Sequence, residues 1–364
     1  MKSVLFFASD YKIGLAALLT DQLLSLCEEG VPVYAVAGEN EQEPGLSDRL
    51  AEKAVTIERI PGLDAHARFL HLAARIERIV KEQNIDIVHV QNNWQLAIVA
   101  YVKNKLRFRK KLKVVYTIHG FRNNNARKAV VAQIVIGTAL FLFADRVLCM
   151  TQYLKSKFRL LSYKIRILPL GINDGFYISE FDKPDVADLK LIFPAQFRQG
   201  KNQDVIIRAL HAYIKRTGRD NIHLTLPGGG ERMEQMQQLA RDLNVSEHVS
   251  FPGLLPKQQI KDAYIAHNIA VIASDSETFG QSIVEPYVLG RCVISTPVGI
   301  APEIIKAGES GYLFDTEDEL TDILVSLSES PELLQTIARN NFKSRDAFRW
   351  SNISQKYISH LDIE

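Results

Sequence analysis

Short apolar runs alternate with longer amphipathic stretches along the whole chain, and that alternation sets the expected fold. Val4-Leu5-Phe6-Phe7 reads as a first strand, ending at a polar turn from Ser9 to Gly14. A helix follows with Leu18, Leu19, Leu23, Leu24 and Leu26 at mixed three-four spacing, stopping near Gly30. Val31 to Ala37 is the next strand. Glu39 to Asp48, with Pro44-Gly45, is a polar loop, and Ala67 to Glu82 an amphipathic helix. Asp86 to Gln91 is a buried parallel strand, and His89 within it reads as a core histidine rather than a ligand. Val114 to Arg122 forms a strand ending in His119-Gly120, and a helix is expected from Asn125 to Phe143. Strands at Ala144–Thr151 and Ile165–Asn173 complete the first half, and a polar stretch from Asn173 to Asp188 reads as a linker.

The same alternation then starts again. Leu189 to Phe193 is a strand, a loop carrying Arg198, Gly200 and Lys201 follows, and Asp204 to Thr217 is helical. Ile222 to Leu226 enters Pro227-Gly228-Gly229-Gly230, whose spacing is wrong for a dinucleotide fingerprint. His248 to Gly253, including Phe251, is a short strand and turn. Ala270 to Ala273 runs into the polar turn Ser274-Asp275-Ser276, and Glu277 stands at its lip. The helix from Gln281 to Leu289 buries Ile283, Val284, Tyr287 and Val288, with Gly290 as its C′ residue and Glu285 one turn inside. Strands at Cys292–Ser295 and Gly311–Phe314 and helices at Glu317–Ser328 and from Pro331 onward close the chain. Trp350 and Tyr357 are expected to anchor the tail on the first half. Two β/α halves of equal length imply two doubly wound parallel-sheet domains facing a cleft: 1–172 with the tail from about 348 to 364, and 173–347.

Composition adds little that changes this picture. The chain has 364 residues, 46% apolar and 24% charged, enough for two cores. A net charge of +2 gives no reason to expect a nucleic-acid partner, and none is expected. Cys27, Cys149 and Cys292 lie in apolar runs without metal-ligand spacing, as reduced cysteines of a cytosolic protein do. The N-terminal run meets Asp10 too early for a signal peptide. No run reaches the ~18 apolar residues of a membrane span, the nearest being Ala129–Ala144, broken by Gln133.

The chemistry concentrates between Ser274 and Glu303. The first N–H groups of a helix, near Gly280 to Ser282, favour an anion such as a diphosphate. Glu277 lies before that site and Glu285 beyond it, so one ligand with hydroxyls on both sides of a diphosphate could meet both carboxylates; a nucleotide sugar has that layout. Taken alone, the two glutamates read more readily as a solvated turn residue and one on a helix's polar face. The full string is more specific: Glu277, seven residues, Glu285, with Phe279-Gly280 between, then Gly290, Pro297-Val298-Gly299 and Pro302-Glu303. It resembles the donor site of the family-4 retaining glycosyltransferases of GT-B fold.

The resemblance implies transfer of a sugar from a nucleoside diphosphate sugar to a hydroxyl of a saccharide or lipid-linked saccharide, as in bacterial polysaccharide, lipopolysaccharide or glycolipid synthesis. The Phe279, Gly280, Gln281 and Ser282 backbone and Lys201 would hold the diphosphate. Glu285 would take the ribose, Glu277 the sugar hydroxyls, and His119 would lie beside the sugar and the acceptor. Gly228 and Gly229 would let the nucleotide lie close, Phe251 would sit near the base, and Gly14 would line the first domain's loop, where the family is richer in glycine. The family's arginine position falls on uncharged Gln196, and Arg198, two residues on, is the candidate second cation. Asp275-Ser276-Glu277 looks superficially like an acidic metal motif, but with cations available no obligatory metal or cofactor is expected. The basic run Lys103–Lys113, with Leu106 and Phe108 among its charges, suits anionic lipid head groups, or else a solvated helix end. The expected location is the cytoplasm, with the lipid reading of the run adding a peripheral position on the inner face of the membrane. Two other readings stay open: a nucleotide-sugar epimerase of the same shape, and a non-catalytic sugar-nucleotide binding protein.

Overall fold

The structure is a computed structural model and describes residues 1–8, 13–37, 50, 52, 55–60, 68–119, 137–158 and 162–363. The turn expected after the first strand, the loop 39–48 and most of the helix 125–143 lie outside these; residues 137–143 are helical. The chain forms two compact units, Met1–Gly171 with Trp350–Glu364, and Ile172–Arg349.

The first unit is built on a seven-stranded sheet. Its strands are β1 Val4–Ala8, β2 Val33–Ala37, β3 Thr56–Arg59, β4 Ile87–Val90, β5 Lys113–Ile118, β6 Arg146–Cys149 and β7 Ile165–Ile167. The order is β3-β2-β1-β4-β5-β6-β7, parallel throughout. Continuous Val, Ile and Leu runs suit strands covered on both faces, and β4 is buried at every position. The C-terminal helix Trp350–Leu361 packs on the helix Ile13–Glu28, with Trp350, Ile353 and Tyr357 in the same core as Val4, Phe6, Leu19 and Leu23. A Cβ on Gly171 would stand 2.3 Å from the Trp350 indole, so glycine there is what lets the tail seat.

His89 is a core histidine, as expected. Its Nδ1 meets the Tyr357 hydroxyl at 3.0 Å and its Nε2 the Thr117 hydroxyl at 2.6 Å. Burial, followed by the nearby charge of His119, pulls its pKa to about 3.

Part of the basic run is tied to carboxylates on other elements. Lys103 pairs with Asp145 at 2.5 Å, Lys105 with Glu77 at 2.6 Å and Lys113 with Asp362 at 3.4 Å. Leu106 is buried in the core instead of lying among exposed charges, because it closes the apolar face of the helix Asn93–Leu106. Phe108 is the residue left out, 86% exposed beneath the Arg107 guanidinium.

The second unit carries a six-stranded parallel sheet: β8 Leu189–Ile192, β9 Ile222–Thr225, β10 Val249–Ser250, β11 Ile269–Ile272, β12 Cys292–Ser295 and β13 Gly311–Leu313. Their order is β10-β9-β8-β11-β12-β13, so connections run one way from β8 and the other way from β11. The carboxyl ends of β8 and β11 thus form a topological switch point, where sheets of this kind take ligands.

Candidate active site

Two loops meet at that switch point. The loop after β8 turns at Gly200 and Asn202, both left-handed with φ of 85° and 51°. Asn202 Nδ2 donates to the Ala273 carbonyl at 3.0 Å and to Asp275 Oδ1 at 2.5 Å, while the Asp275 amide donates to the Gly200 carbonyl at 2.9 Å. The two loops are laced side by side, and the lacing brings Lys201 Nζ onto the Glu277 carboxylate. The pair is 13% and 17% exposed at its side chains, so water screens it poorly. Neither the lacing nor the ion pair was foreseen. Asparagine's tolerance of left-handed backbone after a glycine was the signal in Gly200-Lys201-Asn202. Asp275 works within the loops, and among the described residues no three His, Cys, Asp or Glu side chains converge as metal ligands.

Beyond Glu277, Gly280 adopts φ 92° as the residue before the helix Gln281–Val288. The amides of Gln281 and Ser282 fall in its first turn, where no intrahelical acceptor exists, so a negative charge is favoured there. Phe279 is buried, and its carbonyl accepts from the Ile300 amide at 2.9 Å. A Cβ on Gly299 would lie 2.3 Å from that carbonyl, which accounts for the glycine in Pro297-Val298-Gly299. The helix ends as expected: the Gly290 amide bonds Tyr287 O and the Arg291 amide Pro286 O, both at 2.9 Å, with Gly290 left-handed.

Glu285 is partly buried one turn inside the helix. Burial pushes its pKa up to about 7, opposed by the charge of Lys257, and no cation is within ion-pair distance among the described residues. Tyr264, fully buried on the neighbouring helix Lys257–Ala266, feels the Glu285 charge.

The glycines after β9 answer first to the protein's own backbone. Cβ atoms on Gly228 and Gly230 would lie 2.0 Å from Ala195 O and 2.5 Å from Phe197 O; Gly229 meets only the Leu254 side chain, at 3.4 Å. Phe251 leans on buried Phe197, ring centroids 6.0 Å apart. Arg198 is exposed, its guanidinium making a 3.4 Å hydrogen bond to Gln199 O and no ion pair among the described residues. Gln196 is also exposed, and its carbonyl fixes Gln203 Nε2 at 3.1 Å.

The structure therefore brings Lys201 onto Glu277, from which the chain runs through Phe279 and Gly280 into the helix that carries Gln281, Ser282 and, one turn on, Glu285. The remaining two candidates belong to the first unit. His119 follows β5, its Nε2 hydrogen-bonded to Gln91 Oε1, and burial lowers its pKa to about 4, so it is neutral at pH 7. It lines a cavity of about 20 Å³ with Gln91, Thr117, Met150 and Trp350. Gly14 falls in the first turn of the helix Ile13–Glu28 instead of in the expected turn, since the helix already starts at Ile13.

A cation held by a carboxylate at a strand end, just ahead of a helix whose first amides are open and which carries a second carboxylate, has the chemistry to bind a phosphate-bearing polyol. Comparison with known proteins agrees on the class. Residues 14–176 match the family model described as Glycosyltransferase Family 4, and residues 179–344 the model described as Glycosyl transferases group 1. Between them the models span nearly the whole chain, and it belongs to this glycosyltransferase family, with the GT-B fold. The chain is 25% identical to N-acetyl-alpha-D-glucosaminyl L-malate synthase of Bacillus anthracis over 312 residues, 79% of this chain and 77% of that one. It is 22% identical to alpha-monoglucosyldiacylglycerol synthase of Streptococcus pneumoniae, over 73% of this chain and 66% of that one. Against several D-inositol 3-phosphate glycosyltransferases the match takes in less than half of either chain. In fold it is similar over its whole length to Anabaena Alr3699/HepE in complex with UDP, TM-score 0.80 at 19% identity. The apo lipopolysaccharide outer core galactosyltransferase WaaB covers it equally, TM-score 0.74 at 16% identity.

Proposed function

We propose that this glycosyltransferase moves a hexosyl group, with retention of anomeric configuration, from a nucleoside diphosphate sugar to a hydroxyl of a saccharide or lipid-linked saccharide. The observation that carries the reading is the convergence of Lys201 and Glu277 at the switch point, beside the open amides of Gln281 and Ser282. Lys201 and those amides stabilise the negative charge that grows on the leaving diphosphate. Glu277 holds sugar hydroxyls and fixes the anomeric carbon, and Glu285 accepts from the ribose. Arg198, exposed and unpaired by carboxylates among the described residues, supplies a second cation, and neutral His119 acts beside the acceptor. The reaction runs without an obligatory metal. Fold neighbours described in complex with UDP, with UDP and glucose, and with UDP-glucose support the donor class.

A membrane-side location is part of the same proposal. Among the described residues no helix is long and apolar enough to cross a membrane. Arg107, Arg109 and Lys111, exposed around Phe108 and without carboxylate partners among the described residues, suit contact with anionic lipid.

The test is incubation with a panel of sugar nucleotides, with and without hydroxyl acceptors, followed by assay of released nucleoside diphosphate. Acceptor-dependent release supports transfer. Conversion to an epimeric sugar nucleotide identifies an epimerase instead, and binding without turnover a non-catalytic protein.

A further inference from the structure

We propose that the Lys201–Glu277 ion pair makes the donor site discriminate an intact sugar nucleotide from the free nucleoside diphosphate. The inference rests on the reading above, in which Lys201 meets the diphosphate and Glu277 the sugar. In the empty site the two groups satisfy each other, both largely shielded from water. They sit on loops bound together through Asn202, Ala273, Asp275 and Gly200, so the loops cannot part to separate them. A ligand has to draw the lysine tip off the carboxylate.

The two ligands then differ in what they leave behind. A free nucleoside diphosphate takes Lys201 and strands Glu277, a mostly buried carboxylate with no other cation at ion-pair distance among the described residues. A buried charge that loses its partner is penalised strongly. A sugar nucleotide takes both groups at once, because the sugar hydroxyls donate to Glu277 in place of the ammonium. The penalty therefore falls on the product and spares the donor. Once the sugar has been transferred, re-formation of the pair opposes retention of the diphosphate, so the same two residues that bind the donor promote product release. Binding of diphosphate at Lys201 and of sugar at Glu277 becomes positively coupled through the pair.

The experiment is calorimetric titration of the wild type, Glu277→Gln, Lys201→Ala and the double variant with UDP, GDP, ADP, CDP and dTDP, with Glu277→Ala as a second carboxylate-free variant and thermal unfolding as the check on folding. For the tightest-binding diphosphate, Glu277→Gln is expected to bind about five- to tenfold tighter than the wild type. That gain is expected to vanish in the Lys201→Ala background, since it comes from the freed lysine. Unchanged or weaker binding by the carboxylate-free variants overturns the proposal. An equal gain in the Lys201→Ala background also overturns it, because the effect would then be plain repulsion between Glu277 and the phosphates. If the wild type binds none of the five, the donor-site reading itself fails.

Discussion

Tyr264 lies within electrostatic reach of Glu285 where the helix Lys257–Ala266 packs on Gln281–Val288, and its hydroxyl is sealed from water with no hydrogen-bond partner among the described residues. A partly buried carboxylate thus lies on the helix beside a buried phenol, in a setting that disfavours the carboxylate's charge. Burial raises Glu285 from 4.5 to about 7. Between those values the native chain binds more protons than the unfolded chain, so Glu285 lowers stability as pH rises through that window. Glu285→Gln is therefore expected to raise Tm at pH 8 and to change it little at pH 5. The same substitution should weaken binding of donor and free nucleoside diphosphate alike by about 1–3 kcal/mol, since the ribose is common to both. Thermal scans at both pH values and calorimetry check this. A loss of Tm at pH 8, or unchanged affinity, contradicts it.

Lys201→Ala should cut turnover about a hundredfold or more, because a cation placed against a leaving diphosphate acts mainly at the transition state. Steady-state kinetics on the folded variant decide the point, and near-normal kcat would remove the lysine from the mechanism.

Arg291 offers a stability test away from the chemistry. It is 1% exposed, donates to the carbonyls of Tyr264 at 3.2 Å, Asp182 at 2.8 Å and Ile265 at 3.0 Å, and pairs with the Asp182 carboxylate. It ties the segment after the first unit to the core of the second. Arg291→Met should lose about 3 kcal/mol or more in denaturant unfolding, because three carbonyls lose their donor at once. A change below about 1 kcal/mol would mean that water replaces the guanidinium.

What was legible in the sequence follows from how local each signal is. The strands read clearly because fully covered parallel strands are continuous apolar runs, as at Ile269-Ala270-Val271-Ile272. Gly290 read clearly because a helix C-terminus has a local backbone signature. Lys201 and Glu277 were each visible as polar residues at strand ends, but their pairing was not, since it depends on β8 lying beside β11 across 76 positions of sequence. Arg291 looked like an ordinary residue between a helix and a strand, and its burial is set by Asp182, 109 positions away. The pairing inside the basic run was not legible, because composition shows the lysines and hides their carboxylate partners on other elements.

Membrane contact is tested on the residues left over from those pairs. Wild type should bind vesicles containing anionic lipid at low salt and release as ionic strength rises. Replacing Arg107, Arg109 and Lys111 together by Ser should weaken that binding by about 1 kcal/mol per residue. Sedimentation with anionic and neutral vesicles measures it. Equal binding to neutral vesicles, or none at low salt, would end the proposal.

The most direct measurement is the anomeric configuration of the product. An α-linked sugar nucleotide that the protein consumes, incubated with an accepted hydroxyl compound in EDTA, should yield an α-glycoside with release of one nucleoside diphosphate per bond formed, read by proton NMR. A β-glycoside, a product appearing only after Mn²⁺ or Mg²⁺ is restored, or no diphosphate release across the donor panel would contradict a metal-free retaining transfer at Lys201 and Glu277.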